Sequence, residues 1–170
     1  MIRLTEEPYD SEVAGRLVAA LTADINERYA DEMDPWTPEE EAADVAAYLA
    51  EVHPVVVRPP LGTFVVAWLE GEAVGCGAVK RTDPADDLGE VKRMYTVPEA
   101  RRQGVAAAIL VHLEARAAAL GIRRLRLETG TAQPEALALY ESHGWARITP
   151  YGRYRDELSS VCFGKSLGEP

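Results

Sequence analysis

Residues 91–120, VKRMYTVPEARRQGVAAAILVHLEARAAAL, constrain this chain more than any other stretch. Val91, Tyr95, Thr96 and Val97 favour a strand, and Pro98, which has no N–H to donate, ends the ladder. An Ala/Leu-rich helix follows at once. Between them lies a basic turn, Arg101-Arg102-Gln103-Gly104-Val105-Ala106, whose small residues Gly104, Ala106 and Ala107 let a ligand approach the backbone. The first N–H groups of a helix lack intrahelical acceptors, so a strand, a small-residue turn and a helix start in this order predict an anion site suited to phosphate or pyrophosphate.

The 170 residues suffice for one well-buried domain spanning 1–170 and are too few for two. Hydrophobic residues make up 47%, yet no apolar run approaches the roughly 20 residues needed to span a bilayer. The start, MIRLTEEPYDSE, has neither the basic residues nor the apolar core of a signal peptide, which predicts a cytoplasmic location. A net charge of −10 argues against nucleic-acid or anionic-membrane partners. Cys76 and Cys162 stand alone and read as buried thiols, and the scattered His53, His112 and His143 form no metal-binding pattern, so no metal is expected.

In chain order, residues 2–5 predict a strand, and Asp10 or Ser11 predicts the cap of a helix reaching Tyr29, with Val13, Leu17, Leu21 and Ile25 on one stripe. An acidic loop at 30–36 precedes Thr37-Pro38, a helix start, with the second helix ending near Val52. This acidic region reads either as solvated helix caps or as a mouth attracting a cationic substrate. Residues 63–69 and 73–80 predict a hairpin turned at Glu70-Gly71-Glu72, with Gly75 and Gly77 marking a bulge or a close neighbour. A central strand at 89–97, the long helix, a strand at 124–129, a helix from Pro134 to His143 and strands near 146–149 and 158–166 complete the chain. In the 124–129 strand, Leu125, Leu127 and Thr129 share one face while Arg124, Arg126 and Glu128 share the other, so one face is not covered by apolar core. The order predicts an α/β (α+β) fold, a mixed sheet with helices on both faces.

With its strand before and helix after, Arg101-Arg102-Gln103-Gly104-Val105-Ala106 resembles the R/Q-x-x-G-x-G/A pyrophosphate loop of the GNAT superfamily of acyl-CoA-dependent N-acetyltransferases. Downstream, Ala136-Leu137-Ala138-Leu139-Tyr140-Glu141-Ser142-His143-Gly144-Trp145 resembles the A-x-x-L-Y-x-x-x-G-F segment of that family, with tryptophan for phenylalanine. The resemblance covers roughly residues 63–166. It implies a GNAT-like, mostly antiparallel central sheet of about six to seven strands, with acetyl-CoA as cosubstrate. It also implies that the backbone of Met94, Tyr95 and Thr96 pairs with the pantetheine arm, and that Arg101, Arg102, Gln103, Gly104, Val105, Ala106 and Ala107 hold the pyrophosphate. Gln133 stands where many members carry an asparagine that touches the cofactor arm.

Acetyl transfer to nitrogen needs a neutral amine, and an alkyl amine with a pKa of about 10.4 is mostly protonated at pH 7, so a base is required. Glu90, fourteen positions before Gly104, stands where some members place a catalytic glutamate; the alternative is a strand end in solvent. Glu128 is the rival base, its alternative being a salt bridge to Arg124 or Arg126. Tyr140 occupies the position of the tyrosine that protonates the departing thiolate in the family, the alternative being a core aromatic. The segment 150–156, with Tyr151, Arg153, Tyr154 and Arg155, reads either as a grip for an aromatic or carboxylate-bearing acceptor, or as a solvent loop or dimer contact. Together these features imply an N-acetyltransferase acting by direct attack on a small-molecule amine or amino-acid-like acceptor. The alternatives are a protein or peptide N-acetyltransferase and a non-catalytic acyl-CoA sensor; a homodimer fits families of this kind.

Overall fold

A computed structural model describes residues 1–30 and 37–168; the acidic loop expected at 30–36 lies, but for Ala30, outside the described residues. The first elements are β1 (Arg3–Glu6), α1 (Glu12–Tyr29) and α2 (Pro38–Ala50). Ser11 caps α1, its hydroxyl accepting the Ala14 N–H at 3.3 Å, and satisfies one of the amides that a helix start leaves open. The buried stripe of α1 is Ala14, Leu17, Val18 and Leu21.

β2 (Gly62–Leu69) and β3 (Glu72–Arg81) form the expected hairpin. Glu70 and Gly71, with φ of 53° and 91°, both take the left-handed conformation of a type I′ turn, whose twist matches that of the strands. Next come β4 (Leu88–Thr96), a 3₁₀ turn at Pro98–Ala100, α3 (Val105–Ala119), β5 (Arg124–Gly130), α4 (Pro134–Ser142), β6 (Ala146–Arg147) and β7 (Ser160–Ser166). The last two strands are shorter than their residues predict. Pro150 cannot extend a ladder, and Leu158 is fully exposed, so nothing recruits 149 or 158 into the sheet.

The seven strands run in the order β1-β2-β3-β4-β5-β7-β6, with β4–β5 the single parallel pair among them. The expected mixed, mostly antiparallel sheet with helices on both faces is what the chain forms. On one face, Val105, Ile109, Leu110 and Leu113 of α3 pack with Val79, Val91, Leu125 and Leu127, and Tyr140, Trp145 and Phe163 continue this core. Each fully buried Ile or Leu contributes about 1.5–3 kcal/mol. The approach is close: a Cβ at Gly77 would stand 2.7 Å from Ile109 Cγ2 and 2.9 Å from Leu113 Cδ1, which explains the glycine in mid-strand. On the other face, α1 covers Phe64, Val66, Cys76, Ala78 and Tyr95. Both cysteines are buried thiols; burial pushes Cys76 up to about 12.

Two features of β4 shape a cleft. It pairs with β3 from Gly89 to Thr96, but with β5 only over Leu88–Glu90, so beyond Glu90 the two parallel strands separate. A bulge interrupts the β3 pairing between Cys76 and Ala78, opposite Arg93, whose φ is 59°. A bulge re-aims side chains: Lys92 lines a cavity on the α2 side, and Arg93 turns the same way, its guanidinium 3.7 Å from the Tyr48 ring centre and donating to the Tyr48 carbonyl at 2.5 Å.

Candidate active site

The turn between β4 and α3 leaves its backbone donors open. Among the described residues, the N–H groups of Arg102, Gln103, Gly104, Val105, Ala106 and Ala107 donate to no acceptor, the next amide, Ala108, being the first to bond back, to Gly104 O at 2.9 Å. Gly104 is the N-cap, with φ of 82° and no side chain to cap the helix, and no acidic residue occupies the first turn. A Cβ built on Gly104 would meet nothing within 4 Å, so glycine is required here by its dihedral, and open space lies beyond it. The arrangement suits a pyrophosphate.

Arg101 departs from the expected set. Its own N–H is taken by Pro98 O at 3.2 Å, and its guanidinium donates to Thr96 O at 3.1 Å and to Asp24 at 2.7 Å. Its observed contacts fix the turn to β4 and α1, and the open amides begin one residue later. The Gln103 side chain likewise bonds back to Glu99 O.

Along β4, Val97 N–H bonds to Val74 O, and alternation therefore directs the Tyr95 backbone toward β3 and the backbones of Met94 and Thr96 toward the open edge facing β5. The Tyr95 side chain is buried under α1. Met94 and the Thr96 N–H face this open edge, where an extended ligand can add itself as a strand; the Thr96 carbonyl is taken by Arg101, and the Tyr95 groups face β3.

The end of α1 reaches the far side of the cleft. Asp24 pairs with Arg101 and, at 2.8 Å, with Arg28, which continues to Glu135 at 2.6 Å and to the Ala132 carbonyl at 3.1 Å. Burial works against the Asp24 carboxylate, but the hydrogen bonds from Arg101 and Arg28 outweigh it and hold its pKa below the usual value. The Tyr29 hydroxyl lies over Gly130, where a Cβ would come within 1.7 Å of it, and accepts a long 3.5 Å hydrogen bond from Gln133. The sequence shows Asp24 and Arg28 as an i,i+4 pair on one helix but carries no signal for the loops they join.

On the α1/α2 face, both candidate carboxylates line one cavity of about 160 Å³, together with Glu51, Lys80, Lys92, Arg126, Tyr151 and Arg153. Register places Lys80, Glu90 and Arg126 side by side across β3, β4 and β5. Glu90 is held between Lys92 at 3.1 Å and Arg126 at 3.2 Å, with its side chain 9% exposed. Lys92 also pairs with Glu51 at 2.7 Å. Burial alone would discharge this ammonium, yet Glu90 and Glu51 raise its pKa and keep it charged. Glu128 differs. Among the described residues its one hydrogen-bond partner is the Ser160 hydroxyl, which donates at 3.1 Å, and burial raises its pKa from the usual value against the lowering effects of that bond and of the Lys92 charge. The salt bridge to Arg124 or Arg126 considered for Glu128 does not form; Arg124 pairs with Asp86 and Asp87. From the 150–156 segment, Tyr151 enters the cavity with its ring 3.8 Å from the Arg126 guanidinium, whereas Arg155 and Asp156 pair in solvent.

Tyr140 lies on the opposite side of the sheet, packed at 5.9 Å from Trp145 and 5.6 Å from Phe163. Its hydroxyl meets no hydrogen-bond partner among the described residues, and burial pushes the phenol well above its usual pKa, which keeps it protonated. Glu128 projects from the other face of β5, away from this core. Among the described residues no group of three His, Cys, Asp or Glu side chains could hold a metal, and no helix is long and apolar enough to cross a membrane.

Comparison with known proteins converges on one family. The sequence model of the Acetyltransferase (GNAT) family matches residues 22–145. The chain is 39% identical over 104 residues to a protein named IAA acetyltransferase from Azospirillum brasilense, covering 61% of this chain and 67% of that one. It is also 39% identical over 113 residues to the uncharacterized N-acetyltransferase YsnE of Bacillus subtilis (strain 168), covering 65% and 74%. Among solved structures, the putative acyl-CoA N-acyltransferase from Klebsiella pneumoniae subsp. pneumoniae MGH 78578 superimposes with a TM-score of 0.75 at 28% identity, over 99% of both chains. The chain therefore belongs to the GNAT family of acetyltransferases and is an acyltransferase enzyme.

Proposed function

We propose that the protein transfers an acetyl group from acetyl-CoA to the primary amine of a small-molecule acceptor, with Glu128 as the base. The observation that carries the reading is the pairing of two sites along one pair of splayed strands: open amides at the α3 start, and an unpaired, half-buried carboxylate on the acceptor face. The donor set fits acetyl-CoA. Arg102, Gln103, Gly104, Val105, Ala106 and Ala107 supply six N–H groups for the pyrophosphate, and Met94 together with the Thr96 N–H offers an open strand edge to the pantetheine. Bound there, acetyl-CoA supplies an activated acetyl thioester that an amine can attack directly.

Of the two carboxylates, the base role falls to Glu128: Glu90 is engaged in ion pairs with Lys92 and Arg126, whereas Glu128 forms no ion pair among the described residues and burial raises its proton affinity against the opposing charge of Lys92. It accepts the proton of the incoming ammonium, directly or through a water. Tyr140, a phenol that carries its proton at neutral pH, donates to the sulfur that departs. Glu90 fixes Lys92 and Arg126 in the cavity wall. Gln133, whose amide reaches only Tyr29, serves the cofactor arm near the start of α4.

The test is release of free thiol from acetyl-CoA with a panel of amines, amino acids and peptides, together with thermal unfolding in the presence of acetyl-CoA. A ligand at 100 times its dissociation constant stabilises by about 2.7 kcal/mol; no shift at saturation removes the cofactor assignment, and no thiol release with any acceptor removes the enzymatic one.

A further inference from the structure

The acceptor cavity holds two kinds of incomplete side chain, and they carry opposite charge. Glu128 forms no ion pair among the described residues, although the Lys92 charge acts on it. Facing it in the same cavity are donors without acceptors. Lys80 lines the wall and has neither an ion pair nor a hydrogen bond among the described residues. Arg126 uses one guanidinium nitrogen for Glu90, while its Nε is buried with no partner. The Tyr151 hydroxyl is likewise buried and unpartnered. A buried donor with no acceptor costs about 1–3 kcal/mol, so two buried orphans converging with an unpaired ammonium on one cavity call for an anionic or strongly accepting ligand group.

The spacing sets the size of that ligand. Arg126 and Glu128 are two residues apart on the same face of β5, hence about 7 Å apart. An amine bonded to Glu128 and an acceptor group bonded to Arg126 or Lys80 must then lie within a few bonds of each other. A carboxylate can take Nε of Arg126, the Lys80 ammonium and the Tyr151 hydroxyl together, whereas an amide oxygen offers no charge to either cation. A plain alkyl amine leaves all three donors unsatisfied.

We infer that the acceptor is a small amino acid, held by its carboxylate on Lys80, Arg126 and Tyr151, and by its amine on Glu128. This assignment rests on the acetyltransferase reading of the same site and adds the carboxylate to it.

The deciding experiment compares each amino acid with its carboxamide and with the decarboxylated amine, by thiol release from acetyl-CoA and by calorimetric binding to the CoA-bound protein. The acid is expected to exceed its amide at least tenfold in kcat/KM. Lys80→Met is expected to bring that preference to within about threefold of one, and Lys80→Arg to keep it. Equal turnover of acid, amide and amine overturns the carboxylate subsite and leaves the acetyltransferase reading standing. Acid-selective binding without turnover of any acceptor supports the subsite and overturns the catalytic reading. Neither binding nor turnover of any amino acid overturns the inference itself.

Discussion

At the α3 end of the cleft the polar groups left without partners are backbone amides, whereas on the α1/α2 face they are side chains drawn from β3, β5 and the segment before β7. The first set follows from a single turn of chain. Any sequence that places Gly104 at φ 82° before a helix with no acidic first turn opens those N–H groups, wherever the rest of the fold lies. The second set exists because a bulge, a splay and a loop bring distant residues together. The same contrast separates the two glutamates. Glu90 lies in the paired part of β4 and is enclosed by cations, while Glu128 lies where β5 has parted from β4 and keeps one neutral partner. Position along the splay therefore decides which carboxylate is spent in ion pairs and which is left to the effect of burial, which raises the proton affinity of Glu128.

The contrast breaks most decisively at Glu128. Glu128→Gln is expected to lower kcat by about 10²–10⁴-fold, the usual contribution of a positioned base. Because the active form is the carboxylate, kcat/KM of the wild type should rise as pH climbs through the elevated Glu128 pKa and fall below it; loss of that acidic limb in the variant is the signature. Glu90→Gln removes two ion pairs instead, and should lower the unfolding free energy by about 1–3 kcal/mol while leaving the acidic limb in place. If the limb vanishes in Glu90→Gln and persists in Glu128→Gln, the roles are reversed.

Tyr140→Phe comes next, with kcat reduced by roughly 10²-fold, the low end for a positioned proton donor. Among the described residues the hydroxyl has no partner, so the melting temperature should hold; a large drop in stability with unchanged turnover would make the residue a core aromatic. For the backbone end, Gly104→Ala places a non-glycine residue in the left-handed region at a cost of about 1–2 kcal/mol in stability. No atom obstructs the new methyl in the protein itself, so a further loss of acetyl-CoA affinity by calorimetry reports the ligand beyond it. Unchanged affinity would place the pyrophosphate elsewhere.

The smallest effect is expected at Asp24→Asn, which loosens the link from the phosphate turn through α1 to the start of α4. Partly exposed pairs of this kind are worth about 1 kcal/mol or less each, and a several-fold rise in KM for acetyl-CoA should accompany the change. The Asp24 carboxylate is held below its usual pKa, so its stabilising contribution is present above the unfolded pKa and lost as pH falls through the folded one. Wild type and variant should thus converge in stability at acid pH.

Much of this site was legible in advance because its signals are local. The Ser11 cap, the Glu70-Gly71 turn, the Gly104 turn and the alternation of Leu125, Leu127 and Thr129 against Arg126 and Glu128 each depend on a few consecutive residues, and each forms as read. Arg101 shows where such reading ends: its type and place suit a phosphate, but a carboxylate 77 residues earlier claims the guanidinium. Tyr95 shows it again, since a strand pattern does not say which edge a given amide faces until the register with β3 is set. The amino-acid order alone therefore determined the elements, their sequence and the glycine turn with its open amides at the start of α3, all governed by backbone dihedrals and short-range periodicity. Which glutamate is isolated, which cations keep open valences and which side of the sheet holds Tyr140 were decided by tertiary structure, because hydrogen bonds and ion pairs are settled by distances of about 3 Å between residues that the chain keeps far apart.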